Sequence, residues 1–151
     1  MTTLANTLIG YAPLVGHKRN ALATRVRLRP VGPAAGSFEQ LYQELSAICP
    51  QDAPALMLSV EGLPVTQALL EVPSQPSLWI EMTADTVEAP GGYELAAGLH
   101  RKGFRIVLDG RTRTPLPVEL LPAFCLSLIH MDQDRRLEMP APTRLPQGVK
   151  R

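Results

Sequence analysis

Leu78-Trp79-Ile80-Glu81, Phe104-Arg105-Ile106-Val107-Leu108-Asp109 and Leu126-Ser127-Leu128-Ile129-His130-Met131-Asp132 are three apolar runs that each finish on a carboxylate. Each is short and rich in aliphatic or aromatic residues, as buried strands are. A stretch of helical spacing, residues 93–101, separates the first two. In a parallel α/β barrel the C-terminal ends of the strands all face the same way, and side chains there line the active site. Glu81, Asp109 and Asp132 at three such ends would converge on one pocket. Divalent-cation and phosphate chemistry need that geometry.

The rest of the chain fits around these strands. Residues 8–15 are apolar, a turn follows at 16–20, and residues 22–29 alternate, so the two runs read as a hairpin. Arg25, Arg27 and Arg29 alternate with Val26 and Leu28, which reads as one strand with a basic face. Pro30, Gly32, Pro33 and Gly36 mark a loop, and Ser37 is placed to cap a helix carrying Phe38, Leu41, Leu45 and Ile48 on one face. Residues 56–60 read as a short buried strand. Pro64 suits a helix first turn, with Val65, Ala68, Leu69 and Val72 following, and Pro73 and Pro76 stop it. Tyr93, Ala96, Ala97 and His100 share helical spacing, and Gly103 is a natural stop. Residues 110–115 form a polar loop, 117–121 a brief helix or turn, and 124–131 the last strand. Pro140, Pro142 and Pro146 punctuate a polar tail from Gln133, expected to be extended.

The segments Leu78-Trp79-Ile80-Glu81-Met82-Thr83, Lys102-Gly103-Phe104-Arg105-Ile106-Val107-Leu108-Asp109-Gly110 and Ser127-Leu128-Ile129-His130-Met131-Asp132 resemble the EAL-domain family in order and spacing, from about Ile9 to about Asp132. That family comprises cyclic-di-GMP phosphodiesterases and their inactive relatives. The flavour is closest to the EAL half of proteins that carry an HDOD domain after it. A collinear series of short motifs carries the resemblance. It implies an α/β fold: an incomplete EAL-type, TIM-like β/α barrel with an N-terminal antiparallel hairpin, in the order ββαβαβαβ(α)β. The EAL-like domain would span 1–132 and the proline-rich tail 133–151. A full barrel takes about 250 residues, so the 151 residues suit a truncated barrel or a fragment of a longer protein.

Against the family pattern, the ligand set is damaged. Arg25 stands where the glutamate of the family's name precedes the Leu28-Arg29 pair. Glu61 replaces a metal-binding asparagine. Glu81 is kept, but Ala84 replaces a second glutamate after it, and Asp109-Gly110 replaces an aspartate pair. His130 replaces a lysine, Asp132 is kept, and the family's final motifs have no counterpart. Phosphodiester hydrolysis by this family needs divalent ions held by several carboxylates and an amide. A cation at Arg25 opposes metal binding by direct repulsion. Two other readings of the surviving acids stand beside this one. Glu81 and Asp109 at strand ends suit caps of the following segments. An ion pair from Arg25 to Glu81 or Asp109 would keep an emptied metal site folded without ions.

Composition narrows the classes. At 151 residues and 45% hydrophobic content, one domain with a substantial core is expected. Net charge is +1, from 15 Lys and Arg against 14 Asp and Glu, which gives no general argument for nucleic-acid or membrane binding. No apolar run approaches the ~20 residues of a bilayer span. No basic segment precedes a long apolar one at the N-terminus, so a signal peptide is not expected. Cys49 and Cys125 lack metal-site spacing and read as buried, reduced thiols, which suits a cytoplasmic location. His17 and His100 read as surface residues, and His130 as a hydrogen-bonded core residue. There is no Ser-His-Asp order, phosphate loop or dinucleotide fingerprint.

The expectation is therefore a catalytically inactive EAL-like signalling module that acts through protein–protein contact, with a partner protein or a second copy of itself. The alternative is a module that holds cyclic-di-GMP or another nucleotide without cleaving it; an active phosphodiesterase ranks third. Ligand-facing candidates are Arg25, Glu61, Glu81, Asp109, Arg111, Arg113, His130 and Asp132. Arg111 and Arg113, in the loop after Asp109, are the feature that favours phosphate, although they read first as solvated loop charges. No cofactor, resident metal, nucleic acid or membrane is expected. An incomplete barrel also leaves an open edge, to be covered by a second copy or by the tail.

Overall fold

A computed structural model describes residues 3–16, 18–32 and 36–130. Among them, β1 (Thr7–Val15) and β2 (Ala21–Pro30) form the expected antiparallel hairpin. Helix α1 (Phe38–Ile48) follows, then β3 (Leu56–Val60), a 3-10 turn (Gln67–Glu71) and β4 (Leu78–Thr83). Helices α2 (Ala84–Glu88) and α3 (Gly92–Arg101) lead to β5 (Arg105–Asp109), and a second 3-10 stretch (Val118–Ala123) leads to β6 (Phe124–Leu128). The sheet order is the chain order, β1 to β6, with every neighbouring pair from β2 onward parallel. This is a mixed α/β fold with a mostly parallel sheet.

Local sequence explains the helices. Ser37 accepts from the Gln40 N–H while the Gln40 side chain accepts from the Ser37 N–H, so the start of α1 is closed by a reciprocal cap. The helix buries Phe38, Leu41, Tyr42 and Leu45; Ile48, expected on that face, is the last helical residue and 71% exposed. In α3 the most buried large residues are Leu95 and Leu99; of the expected row, Ala96 is buried, Tyr93 and Ala97 are half-buried against the core, and His100 is exposed. The helix expected after Pro64 is a single 3-10 turn; of its expected row, Val65, Leu69 and Val72 are buried and Ala68 is exposed. Pro73 and Pro76 leave it no room to lengthen. Helix α2 was not foreseen. Its five residues are too short for a periodic signal, and its cap is Thr83, whose hydroxyl accepts from the Thr86 N–H.

Strand pairing fixes which side chains share a face, because residues directly opposite in a sheet point the same way. Leu28, Leu58, Leu78, Ile80, Met82, Ile106 and Leu108 point to the helices and form one core with Phe38, Leu41, Tyr42, Leu69, Leu95 and Leu99. Tyr42 is fully buried; its hydroxyl accepts from the Gln75 N–H at 2.9 Å, and burial pushes its phenol up. The other face carries Arg25, Arg27, Met57, Ser59, Trp79, Glu81, Val107 and Asp109. Met57 and Val107 there are fully buried although they lie outside the helix-side core. The third strand of the opening trio departs from expectation. Strand β6 alternates half-buried and exposed, because β5 is its single strand neighbour among the described residues. For the same reason Cys125 is exposed rather than buried; Cys49 is half-buried. The proposed 133–151 tail lies outside the described residues.

Gly91 and Gly92 join α2 to α3 in a way few other residues allow. Gly91 has a left-handed φ of 80°, and a Cβ on Gly92 would sit 2.3 Å from the Val87 carbonyl oxygen. Gly92→Ala should therefore destabilise the fold by about 1–3 kcal/mol, as overpacking does. Gly10→Ala in β1, whose added Cβ would meet nothing nearer than Arg27 Cβ at 4.0 Å, should be neutral or stabilising by up to ~1 kcal/mol. Urea unfolding of both variants checks the contrast; equal losses would refute it.

Candidate functional site

In the parallel part of the sheet, the C-terminal ends of β2 to β5 lie at one end, where loops and side chains of several strands meet. Arg25 stands on β2, Ser59 on β3, Glu81 on β4 and Asp109 on β5, all on the face away from the helices. Their convergence follows from register. Arg25 pairs with Met57, two residues before Ser59 on the same face, and Glu81 pairs with Val107, two residues before Asp109.

The cluster is an ion-pair clamp. Arg25 Nη2 lies 2.7 Å from Glu81 Oε1 and Nε lies 2.9 Å from Glu81 Oε2, a bidentate fork. The Ser59 hydroxyl donates to Glu81 Oε1 at 2.8 Å. Arg25 Nη2 also lies 3.7 Å from Asp109 Oδ2, and His130 Nε2 lies 3.2 Å from Asp109 Oδ1. The side chains of Arg25, Glu81 and Asp109 are 13%, 6% and 16% exposed, so the charges are largely withdrawn from water. Charges in such a place need matched partners. The guanidinium supplies that match to Glu81 in its strongest geometry.

The cluster lines a cavity of about 490 Å³ together with Arg27, Leu28, Arg29, Val60, Glu61, Gly62 and Thr83. Of the sequence candidates, the fold brings Arg25, Glu81, Asp109 and His130 together. Glu61 lines the cavity but stays apart from the clamp, 3.8 Å from Arg29 in a pair about two-thirds exposed. Such a pair contributes ~0–1 kcal/mol. Arg111 and Arg113 are exposed and are not among the residues lining the cavity. Arg113 faces Asp85 at 3.1 Å, and Glu88 Oε1 accepts from the Arg113 and Thr114 N–H groups, so this loop is fastened to α2. Asp132 lies outside the described residues.

Two expectations change at this site. His130 is half-exposed beyond the end of β6, hydrogen-bonded as expected but not a core residue. Glu81 and Asp109 cap no described helix; Thr83 caps α2 instead. Ser59 was missed as a site residue. The available signal was a lone hydroxyl in the otherwise apolar run Leu56-Met57-Leu58-Ser59-Val60. Among the described residues, no helix is long and apolar enough to cross a membrane. No group of three or more His, Cys, Asp or Glu among them is arranged to hold a metal ion. The chain matches no protein-family model and no curated protein.

The clamp makes a thermodynamic prediction. Arg25→Met or Glu81→Met alone strands a buried charge and should cost ~3–5 kcal/mol, whereas the double substitution should cost much less than the sum of the two. A double-mutant cycle by urea unfolding measures this; additive costs would show that the two side chains are not coupled.

Proposed function

We propose that this chain is a catalytically inactive, incomplete EAL-like barrel module that works by protein–protein contact, with a partner protein or a second copy of itself. In this reading the six strands are the opening part of a β/α barrel, and the cavity at their C-terminal ends is a former metal site. The observation that carries it is the Arg25–Glu81 fork. The family would place divalent ions here, and the residues present do not fit them. A guanidinium engages both oxygens of Glu81 and approaches Asp109, so the carboxylates most useful to an ion already face a fixed cation. Ser59 hydroxyl takes up further acceptor capacity of Glu81. Glu61, the remaining acid at the cavity, is turned toward Arg29.

A second reading is non-hydrolysing nucleotide binding. It is favoured by Arg27 and Arg29, which line the cavity with Arg25 and provide phosphate-matching donors. Arg111 and Arg113 do not add to that support, since neither lines the cavity.

Purified protein with magnesium or manganese should yield no linear product from cyclic-di-GMP above a blank. Calorimetric titration with cyclic-di-GMP, with and without magnesium, should give no saturable heat. Hydrolysis in a preparation free of contaminating enzyme would overturn the inactive reading; saturable binding without hydrolysis would replace it with the second.

A further inference from the structure

We infer that β1 is a pairing edge for a second copy of this chain, the two β1 strands lying antiparallel over residues 8–12 about a two-fold axis at Gly10, so that Ile9 of each copy lies opposite Tyr11 of the other. The inference rests on the contact-module reading above and names the surface and the partner. Strand β1 pairs with β2 on one side and with no described strand on the other. The N–H and C=O groups of Ile9 and Tyr11 point away from β2 and form a template for another strand. Proteins usually blunt such an edge with charge, shortness or a covering element. Here the edge is nine residues long, Thr-Leu-Ile-Gly-Tyr-Ala-Pro-Leu-Val, with no charged side chain. Leu8, Ile9, Tyr11 and Val15 are 60%, 58%, 83% and 61% exposed. Pro13 has no N–H to give, which confines a regular ladder to the residues before it.

The choice of occupant follows from what each available strand offers. Residues 132–138 carry Asp132, Asp134, Arg135, Arg136 and Glu138, and Pro140, Pro142 and Pro146 follow, so that segment brings charges and missing donors to an apolar edge. The opposite edge, β6, has five residues against nine. Its pairing with β1 of another copy would be head-to-tail and would leave fresh edges at both ends. Two β1 strands instead match in length and polarity and close on themselves. Ile9 and Tyr11 of both copies then share a face, where cross-strand apolar and aromatic pairs stabilise. Arg25, Arg27 and Arg29 lie one strand inward, on β2, so no like charges sit directly opposite one another.

Sedimentation equilibrium on the full chain tests the inference. Wild type should show a reversible monomer–dimer equilibrium. Ile9→Lys and Tyr11→Lys, at exposed positions, should each raise the dimer dissociation constant at least about tenfold, or ~1.4 kcal/mol, with unchanged circular dichroism and an unchanged thermal midpoint at concentrations where the wild type is monomeric. Ile129→Lys, beyond the other edge, should leave the equilibrium unchanged. Monomer at every concentration, a dimer that survives both β1 substitutions, a dimer lost in Ile129→Lys, or growth beyond dimer would each overturn the β1 pairing. None of these outcomes bears on cyclic-di-GMP hydrolysis, which judges the inactive-module reading separately.

Discussion

A guanidinium withdrawn from water must be met by carboxylate, and in this chain it is met by Glu81 in a two-pronged hydrogen bond. That single pairing ties β2 to β4 across β3, over a sequence distance of 56 residues. Ser59 on the intervening strand donates to the same carboxylate, and Asp109 brings β5 to the edge of the group. Four adjacent strands are thereby joined on the face that no described helix covers. The apolar core on the opposite face supplies the bulk of the burial, contains no charged side chain, and acts on the site only through the strand register it holds.

The two faces of the sheet divide the work because their side chains alternate. Along β2, Val26 and Leu28 enter the core while Arg25, Arg27 and Arg29 point the other way. Along β4, Leu78, Ile80 and Met82 are buried against helices while Trp79 and Glu81 share the opposite face. A one-residue slip of β2 would send its arginines into the apolar core. Register and ion pair therefore reinforce each other: the helices hold the strands in register, and the register brings the charges together.

Much of this was legible in the sequence, and the parts that were not have physical causes. The strands stood out because Leu56–Val60, Leu78–Thr83 and Arg105–Asp109 are short apolar runs between prolines and glycines. The hairpin was visible in the alternation of arginines with Val26 and Leu28. The Arg25 pairing was foreseeable because a cation and two acids occupied positions that the family resemblance brings together. Side-chain direction at the margins was harder to read. Ile48, Cys125 and His130 look internal by composition, but one ends a helix and the others lie on or just past β6, whose one described strand neighbour is β5. Helix α2 is too short for periodicity to betray it. That the loop of Arg113 is fastened to α2 was not legible, because Asp85 and Glu88, which hold it, lie 28 and 25 residues earlier.

In the proposed reading, Arg25 does what a divalent ion would do in a catalytic EAL domain: it neutralises the carboxylates at the strand ends. Manganese titration followed by nuclear magnetic resonance addresses this most directly, because the ion broadens signals of nuclei near it. In the wild-type protein, backbone signals of Ser59, Glu81 and Asp109 should broaden no more than that of Asp85, whose side chain is 82% exposed. Selective broadening at Ser59, Glu81 and Asp109 at low manganese would contradict a site filled by its own guanidinium.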